Sequence, residues 1–385
     1  MQRKAILDKK YESVLIMHCF FSASSTLAQK SLDNIKLQEE NEKLKQQLAS
    51  LQLEQLQKQQ RTTQRTTQPT QSSFSVDAIV QSPIKNLLEY YTGFNLATFL
   101  LLFSFLVPNK SVNPIVYLEK KSTCMLLPLK DQLLLVLCRL RNGFHLKDLG
   151  FRFNVSAQLA GVIFNSWIQY MYLRLGYLCL WPSRDVLVSK MTTEFRKLFP
   201  TTIAMIDCTE LKTDRPSSLK TQSQCYSDYK SSTTLKALVV TDSRGSFMFS
   251  SSLFSGSISD KDICKQGAFY DVLTDLMSEG KLKPGDAIMA DKGFAIDKEL
   301  EQLGLRLNIP PFSSSACQMC PGDVDLTQKI ASQRIHIERA INRIKNFKLI
   351  RRNIPASLFS NINEIWLVCC YLSTFQDTLV RDTKS

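Results

Sequence analysis

Leucine recurs at heptad spacing near the start of the chain, in a stretch rich in Gln, Glu and Lys. Leu37, Leu44 and Leu51 are seven residues apart, and Asn41 lies on the neighbouring core position of the same pattern. A buried Asn at such a position favours two parallel helices in register. The pattern predicts a short coiled coil over residues 27–60 that joins two copies of the chain. A solvated single helix is the alternative, because so few heptads are marginal for pairing.

The rest of the first 190 residues divides into three stretches of different composition. Residues 1–26 have no clear pattern, and residues 61–82 are rich in Thr, Gln and Ser, which predicts a flexible linker. Residues 83–190 are expected to be entirely helical. Their most apolar part, residues 94–107, is too short to cross a bilayer, which takes about 20 apolar residues. We therefore expect a buried helix there and no membrane contact.

A helix-turn-helix is predicted within the helical region, at about residues 120–175. Apolar residues form a helical stripe over residues 128–142, and Gly143 ends it. A short second helix then leads to a turn at Asn154. Ser156 has the position of an N-cap for the longer helix that follows.

The second helix of such a motif lies in the DNA major groove. Its exposed face is predicted to carry Ser156, Gln158 and Asn165. An ordinary helical hairpin is the alternative, because Trp167 and Tyr170 on the same helix are typical core residues.

From about residue 200 the sequence changes to short strands and helices. Strands are expected at residues 202–206, 235–241, 247–253, 286–290 and 305–309, and helices at residues 263–277 and 327–347. Three strands, a helix, two strands and a helix is the element order of an RNase H-like core. We therefore predict an α/β fold, with a mixed five-stranded sheet and helices over residues 200–375, followed by a tail at residues 376–385.

Three carboxylates occupy positions in this fold that suit a metal site. Asp207 and Asp291 each follow a predicted strand, and Glu338 lies beside Ile337 on the last predicted helix. Converging carboxylates repel each other unless cations neutralise them, and their oxygens suit Mg²⁺ or Mn²⁺. Two such ions about 4 Å apart activate a water or a 3′-hydroxyl and stabilise the leaving oxygen of a phosphodiester. Asp207, Asp291 and Glu338 are thus the predicted catalytic residues and metal ligands.

Each of these acids also has an ordinary interpretation. Asp207 and Asp291 are suited to turns, and Glu338 is suited to an ion pair with Arg334 or Arg339 on a solvated helix face. The order of the three acids on strand, strand and helix of a single fold favours the metal site.

Basic residues outnumber acidic ones, 48 to 35, in a chain of 385 residues with a net charge of +13. This excess favours a polyanionic partner, with double-stranded DNA first. Two basic groups are predicted to contact phosphates, with ordinary solvated surface as the alternative. They are Lys230 and Lys236, near Tyr226 and Tyr229, and Arg339, Arg343 and Lys345 on the last helix.

The 11 cysteines are scattered without regular spacing. In a chain of this length such a pattern is typical of reduced thiols in an intracellular protein. Cys317 and Cys320 form the only Cys-x-x-Cys pair, and a second pair at zinc-ligand spacing is missing. We expect no structural zinc there.

Six segments occur along the chain in a characteristic order. They are Leu180-Trp-Pro-Ser-Arg184, Ile206-Asp-Cys-Thr-Glu210, Gly256-Ser-Ile-Ser-Asp-Lys261, Met289-Ala-Asp-Lys-Gly-Phe294, Asn308-Ile-Pro-Pro-Phe312 and Arg334-Ile-His-Ile-Glu-Arg-Ala-Ile341. Together they resemble the DDE superfamily endonucleases of Harbinger-like and THAP-associated transposases. The resemblance covers about residues 83–375. It implies a metal-dependent DNA endonuclease and strand-transfer protein whose ligands are Asp207, Asp291 and Glu338, working in the nucleus.

One part of the pattern found in such relatives is missing. They often begin with a zinc-binding THAP domain, whereas only His18 and Cys19 precede Cys124 here among residues of that type. We therefore expect the THAP module to be lacking, and an accessory DNA-binding protein, which some relatives require, is a further expected partner. A non-catalytic DNA-binding protein that dimerises through its coiled coil is the alternative function.

Overall fold

The computed structural model describes residues 74–109, 113–117, 127–311, 320–377 and 379. All of them belong to one compact unit, Ser73–Ser385. The predicted coiled coil at residues 27–60 lies outside the described residues, as do residues 1–26, Cys317 and most of the predicted tail.

Eight helices precede the sheet in the described residues. They are α1 (Val76–Gln81), α2 (Leu87–Thr92), α3 (Leu96–Leu106), α4 (Leu129–Asn142), α5 (Leu146–Phe153), α6 (Ala157–Gly176), α7 (Arg184–Lys190) and α8 (Thr193–Leu198). The predicted buried helix within residues 94–107 is confirmed as α3. No helix among the described residues is long and apolar enough to span a membrane.

Two predictions for this region are wrong in part. Residues 113–117 are not helical. Helix α1 lies inside the predicted linker, because Ser75 caps it and the Asp131 carboxylate accepts a hydrogen bond from Val76 N at 2.8 Å. One local and one long-range hydrogen bond thus anchor a short helix whose composition alone suggested a linker.

Helices α4, α5 and α6 form the predicted helix-turn-helix order. Gly143 and Asn154 end the first two helices in the left-handed conformation. The Ser156 hydroxyl caps α6 by accepting a hydrogen bond from Leu159 N. Helix α6 is also a core helix, because nine of its 20 residues are buried. One of them is Trp167, whose Nε1 donates to Gln132 Oε1 at 2.9 Å.

The sheet has seven strands in the part of the chain that the structure describes. They are β1 (Thr202–Lys212), β2 (Tyr226–Ser227), β3 (Ser232–Thr241), β4 (Phe247–Ser250), β5 (Phe254–Ser255), β6 (Ala287–Met289) and β7 (Arg306–Asn308). Strand β1 pairs antiparallel with β3 and parallel with β6, which pairs parallel with β7. The three short strands β2, β4 and β5 pair with β3. The mixed sheet and its helices confirm the predicted RNase H-like class, with β2 and β5 added to the five expected strands.

The helices after β1 in the described residues are α9 (Leu219–Cys225), α10 (Asp260–Gln266), α11 (Phe269–Ser278), α12 (Asp297–Gln302), α13 (Pro321–Ile344), α14 (Lys348–Arg351), a 3₁₀ helix (Ala356–Asn361) and α15 (Ile362–Ser373). The sequence predicted helices only at residues 263–277 and 327–347, and both differ from the prediction. The single helix expected at residues 263–277 is two helices, because Ala268 turns the backbone to a φ of +59°. Helix α13 begins earlier than expected, at Pro321.

Helix α15 joins the helical region to the sheet. It packs against α6 on one side and β4 on the other. Trp366 is fully buried, and its Nε1 donates to Ser250 Oγ at 2.9 Å. The helical region and the α/β region therefore share one hydrophobic core.

Candidate metal centre

Asp207 lies in the middle of β1 and not at the end of a strand, as the sequence had predicted. The strand continues because its polar second half still pairs with β3, from Asp207 opposite Val239 to Lys212 opposite Thr234. Burial raises the pKa of the Asp207 carboxyl to about 6, against the opposing effects of Arg334 and the Cys208 N–H. The carboxylate thus sits where its charge is poorly solvated.

Asp291 lies two residues beyond the end of the neighbouring strand β6, at the level of Asp207. Strands β1 and β6 run parallel with Met205 opposite Met289, and each aspartate follows its methionine by two residues. The Asp291 side chain is about half exposed, at 52%. The parallel pairing therefore brings the two aspartates to one level, beside the end of β6.

Arg334 of α13 contacts both aspartates. Its Nη1 lies 3.0 Å from Asp291 Oδ1, and its Nη2 lies 3.8 Å from Asp207 Oδ1. The arginine side chain is only 13% exposed. Two carboxylates therefore share one guanidinium, which offsets only part of their charge, in a partly desolvated place.

Glu338 is exposed and lies one helical turn beyond Arg334 on α13. Helix α13 packs along β1, with Arg334 near Asp207 and the Lys345 ammonium donating to the Glu210 carbonyl at 2.9 Å. Glu338 belongs to the stretch of helix between these two contacts. In the described parts of the chain, no three His, Cys, Asp or Glu side chains are gathered as a metal-binding group. The structure thus brings Asp207 and Asp291 together and leaves Glu338 a turn away.

The two aspartates fit a divalent cation. They offer oxygen donors, which Mg²⁺ and Mn²⁺ prefer. They already share one cationic group, the Arg334 guanidinium. A bound cation would also stabilise the ionised form of Asp207, which burial disfavours and whose pKa burial therefore raises.

Asp260 is a further carboxylate beside this site, and the sequence had given it no role. It opens α10, and its Oδ1 lies 2.7 Å from the Lys236 ammonium. Its negative charge contributes, after burial, to a raised pKa of the Cys208 thiol, and to the raised pKa of Asp207. The only signal for it in the sequence was its place in the Gly256–Lys261 segment.

The five predicted DNA-contacting residues fall into different surroundings. Lys236 is 13% exposed and faces Asp260, and it also donates to the Ile258 carbonyl at 3.2 Å. Burial, followed by the nearby charge of Lys230, lowers the pKa of Lys345 to about 8. Arg339 and Arg343 line a separate cleft of about 490 Å³ together with Arg141. Only part of this set therefore lies near the carboxylates, and DNA contact remains a prediction for all five.

The predicted recognition face of α6 is not continuous. Ser156 and Gln158 are exposed in the first turn. Asn165 is instead turned inward, where its Oδ1 accepts a hydrogen bond from Asn361 Nδ2 at 2.9 Å. Asn165 was expected on the DNA-facing surface, and it packs against the 3₁₀ helix because α15 covers this side of α6.

Comparison with protein families gave two matches within the chain. Residues 206–374 match the model of the DDE superfamily endonuclease, and residues 124–176 match the helix-turn-helix of DDE superfamily endonucleases. The chain carries a DDE superfamily endonuclease domain. This domain contains Asp207, Asp291 and Glu338, and its family is one of nuclease and transposase-type enzymes that generally depend on a divalent metal. Comparison with curated proteins and with solved structures gave no match.

Proposed function

We propose that this protein is a transposase-derived endonuclease that cleaves and joins DNA strands with divalent cations held by Asp207, Asp291 and Glu338. The observation that carries the proposal is the pairing of Asp207 and Asp291 around one cationic group inside a DDE superfamily endonuclease domain. Two Mg²⁺ or Mn²⁺ ions are the proposed cofactors. When bound, they supply activation of the attacking oxygen and stabilisation of the leaving oxygen.

The residues around the site have separable tasks in this proposal. Asp207 and Asp291 supply carboxylate oxygens to the ions, and Arg334 offsets part of their charge when no metal is bound. Glu338 completes the ligand set from the neighbouring turn of α13, after Arg334 moves aside. Lys345 and Lys230 bind the phosphates of the strand beside the site, because both ammonium groups lie near each other at this end of α13.

Double-stranded DNA is the proposed substrate. The helix-turn-helix match supports DNA binding, and the exposed first turn of α6 offers Ser156 and Gln158 for contact. Arg339 and Arg343, in a cleft with Arg141, suit a second stretch of phosphate backbone. Pairing of two chains through residues 27–60, a nuclear location and an accessory DNA-binding protein are further parts of the proposal.

The test is Mn²⁺- or Mg²⁺-dependent nicking of supercoiled plasmid DNA by the full chain. Asp291→Asn is the loss variant, and Asp275→Asn, an exposed aspartate on α11, is the matched control. We expect nicking by the wild type and the control, and a loss of at least about 100-fold in Asp291→Asn, since a metal ligand is removed. Nicking that survives in Asp291→Asn contradicts the assignment. DNA binding without cleavage by any of the proteins favours the non-catalytic alternative.

A further inference from the structure

The Asp260 side chain lies at a junction of three elements of the sheet. Its carboxylate pairs with Lys236 of β3 at 2.7 Å. It interacts with the Cys208 thiol of β1, the residue next to Asp207. It also lies against Gly293, two residues after Asp291. One carboxylate therefore contacts the strand of one aspartate and the loop of the other.

Gly293 is the residue that allows this contact. A Cβ atom at this position would stand 2.8 Å from Asp260 Oδ2, closer than Cβ atoms approach other atoms in proteins. Its backbone does not adopt the left-handed conformation that favours glycine. The requirement for glycine here is thus close packing on Asp260 and not a special turn.

Helix capping does not account for the Asp260 side chain. The N-cap of α10 is Ser259, whose hydroxyl accepts a hydrogen bond from Asp262 N at 3.1 Å and donates to Asp262 Oδ2 at 2.6 Å. The helix start is therefore satisfied by Ser259 and Asp262. Asp260 instead turns toward the sheet, where Lys236 neutralises its charge.

We infer that Asp260 is a positioning residue for the metal centre: it fixes the loop of Asp291 against the strand of Asp207. The inference rests on the proposed function. Groups that orient metal ligands, without touching the metal, commonly change metal affinity by about 10- to 100-fold when removed. Asp260 acts in this way through packing on Gly293 and through its ion pair with Lys236.

The first test compares Asp260→Asn with Asp262→Asn in the full chain. Asp262 is exposed on the same helix and serves as the matched control. Mn²⁺ binding is measured by titration calorimetry without DNA, and nicking is measured as a function of Mn²⁺ concentration. We expect Asp260→Asn to weaken Mn²⁺ binding by about tenfold, with the nicking rate at saturating Mn²⁺ close to that of the wild type. Asp262→Asn is expected to match the wild type in both measurements. Equal Mn²⁺ affinity in Asp260→Asn and Asp262→Asn overturns the inference.

A double-mutant cycle tests the contact itself. Gly293→Ala is expected to weaken Mn²⁺ binding in the wild-type background and to have a smaller effect when Asp260 is already Ala, because the clash is gone. An effect of the same size in both backgrounds contradicts the proposed contact. A wild type that binds no Mn²⁺ and nicks no DNA overturns the proposed function and this inference with it. If the wild type binds Mn²⁺ and nicks DNA, and Asp260→Asn binds Mn²⁺ with the same affinity, only the inference about Asp260 is overturned.

Discussion

The Asp207 carboxyl has a pKa that the surroundings of the site shift strongly. Burial raises the pKa of its carboxyl to about 6 in the folded chain, above the ordinary value of 3.8. Folding thus favours the protonated form, and the resulting contribution to stability is present at low pH and is lost as the pH rises through about 6. At neutral pH without metal, the ionised Asp207 opposes folding.

The first prediction concerns Asp207→Asn in metal-free buffer. We expect the free energy of unfolding at pH 7.5 to rise by about 1–3 kcal/mol, because a poorly solvated charge is removed. The stability of the wild type should fall relative to the variant between pH 4 and pH 7. Urea unfolding across this pH range measures both effects. A variant that is less stable than the wild type at pH 7.5 contradicts this account of the carboxylate.

Arg334 carries the second prediction at this scale. In Arg334→Gln the two aspartates lose the cation they share, so the melting temperature without metal is expected to fall by about 2–4 °C. Mn²⁺ should then raise the melting temperature by more than it does in the wild type, because no guanidinium has to be displaced. Lys329→Gln removes an exposed ion pair from the same helix and is the control. Equal Mn²⁺ effects in the wild type and Arg334→Gln would refute the idea that the guanidinium and the metal compete.

At the scale of elements, one ion pair ties the helical region to the strand that leads to Asp291. Arg184, at the start of α7, donates Nε and Nη2 to the carboxylate of Asp286, with distances of 2.8–3.0 Å. Asp286 is 2% exposed and immediately precedes β6. Removing the arginine leaves this carboxylate buried without a cation.

We therefore expect Arg184→Met to lower the free energy of unfolding by about 3 kcal/mol, since a buried ion pair loses one partner. Lys261→Met breaks a more exposed pair with Glu299 and should lower it by less than about 1 kcal/mol. Chemical unfolding of the two variants makes the comparison. Losses of equal size would mean that the Arg184–Asp286 pair has no special structural role.

Helix α6 leads to a prediction about where DNA is contacted. Gln158→Glu places a negative charge in the exposed first turn and is expected to weaken DNA binding by roughly tenfold at low salt. Asn165→Ala should leave DNA affinity within about twofold and instead lower stability, because Asn165 bonds to Asn361. Fluorescence anisotropy with mixed-sequence duplexes and thermal melting separate the two effects. Weaker DNA binding in Asn165→Ala, with unchanged binding in Gln158→Glu, would show instead that the middle of α6 faces DNA.

The helices and strands were predicted well from the sequence wherever the spacing of hydrophobic residues was regular. The helix-turn-helix order and the five longer strands were visible because their apolar runs are bounded by Gly143, Ser156 and similar signals. The full length of β1 was not visible, since its second half is polar and is held by pairing with β3. The break at Ala268 and helix α1 were also missed, because a left-handed residue and a long-range hydrogen bond leave no periodic signal.

At the scale of the whole molecule, the site depends on pairings between distant parts of the chain. The sequence named Asp207 and Asp291, and the parallel register of β1 and β6 brings them to one level. The sequence indicated no role for Asp260, because its contacts with Cys208, Lys236 and Gly293 exist only after folding. It considered Arg334 only as an ion-pair partner of Glu338, in the alternative to the metal site, whereas Arg334 contacts the two aspartates. The shared core that includes α15 fixes these elements as one body.

The most direct measurement is a crystal structure of the full chain grown with Mn²⁺, with an anomalous-scattering map. The account predicts Mn²⁺ about 2.1 Å from carboxylate oxygens of Asp207 and Asp291, with Glu338 turned in as a further ligand and Arg334 displaced. A map without Mn²⁺ at these aspartates, or one with Arg334 still between them and Glu338 facing solvent, would contradict it.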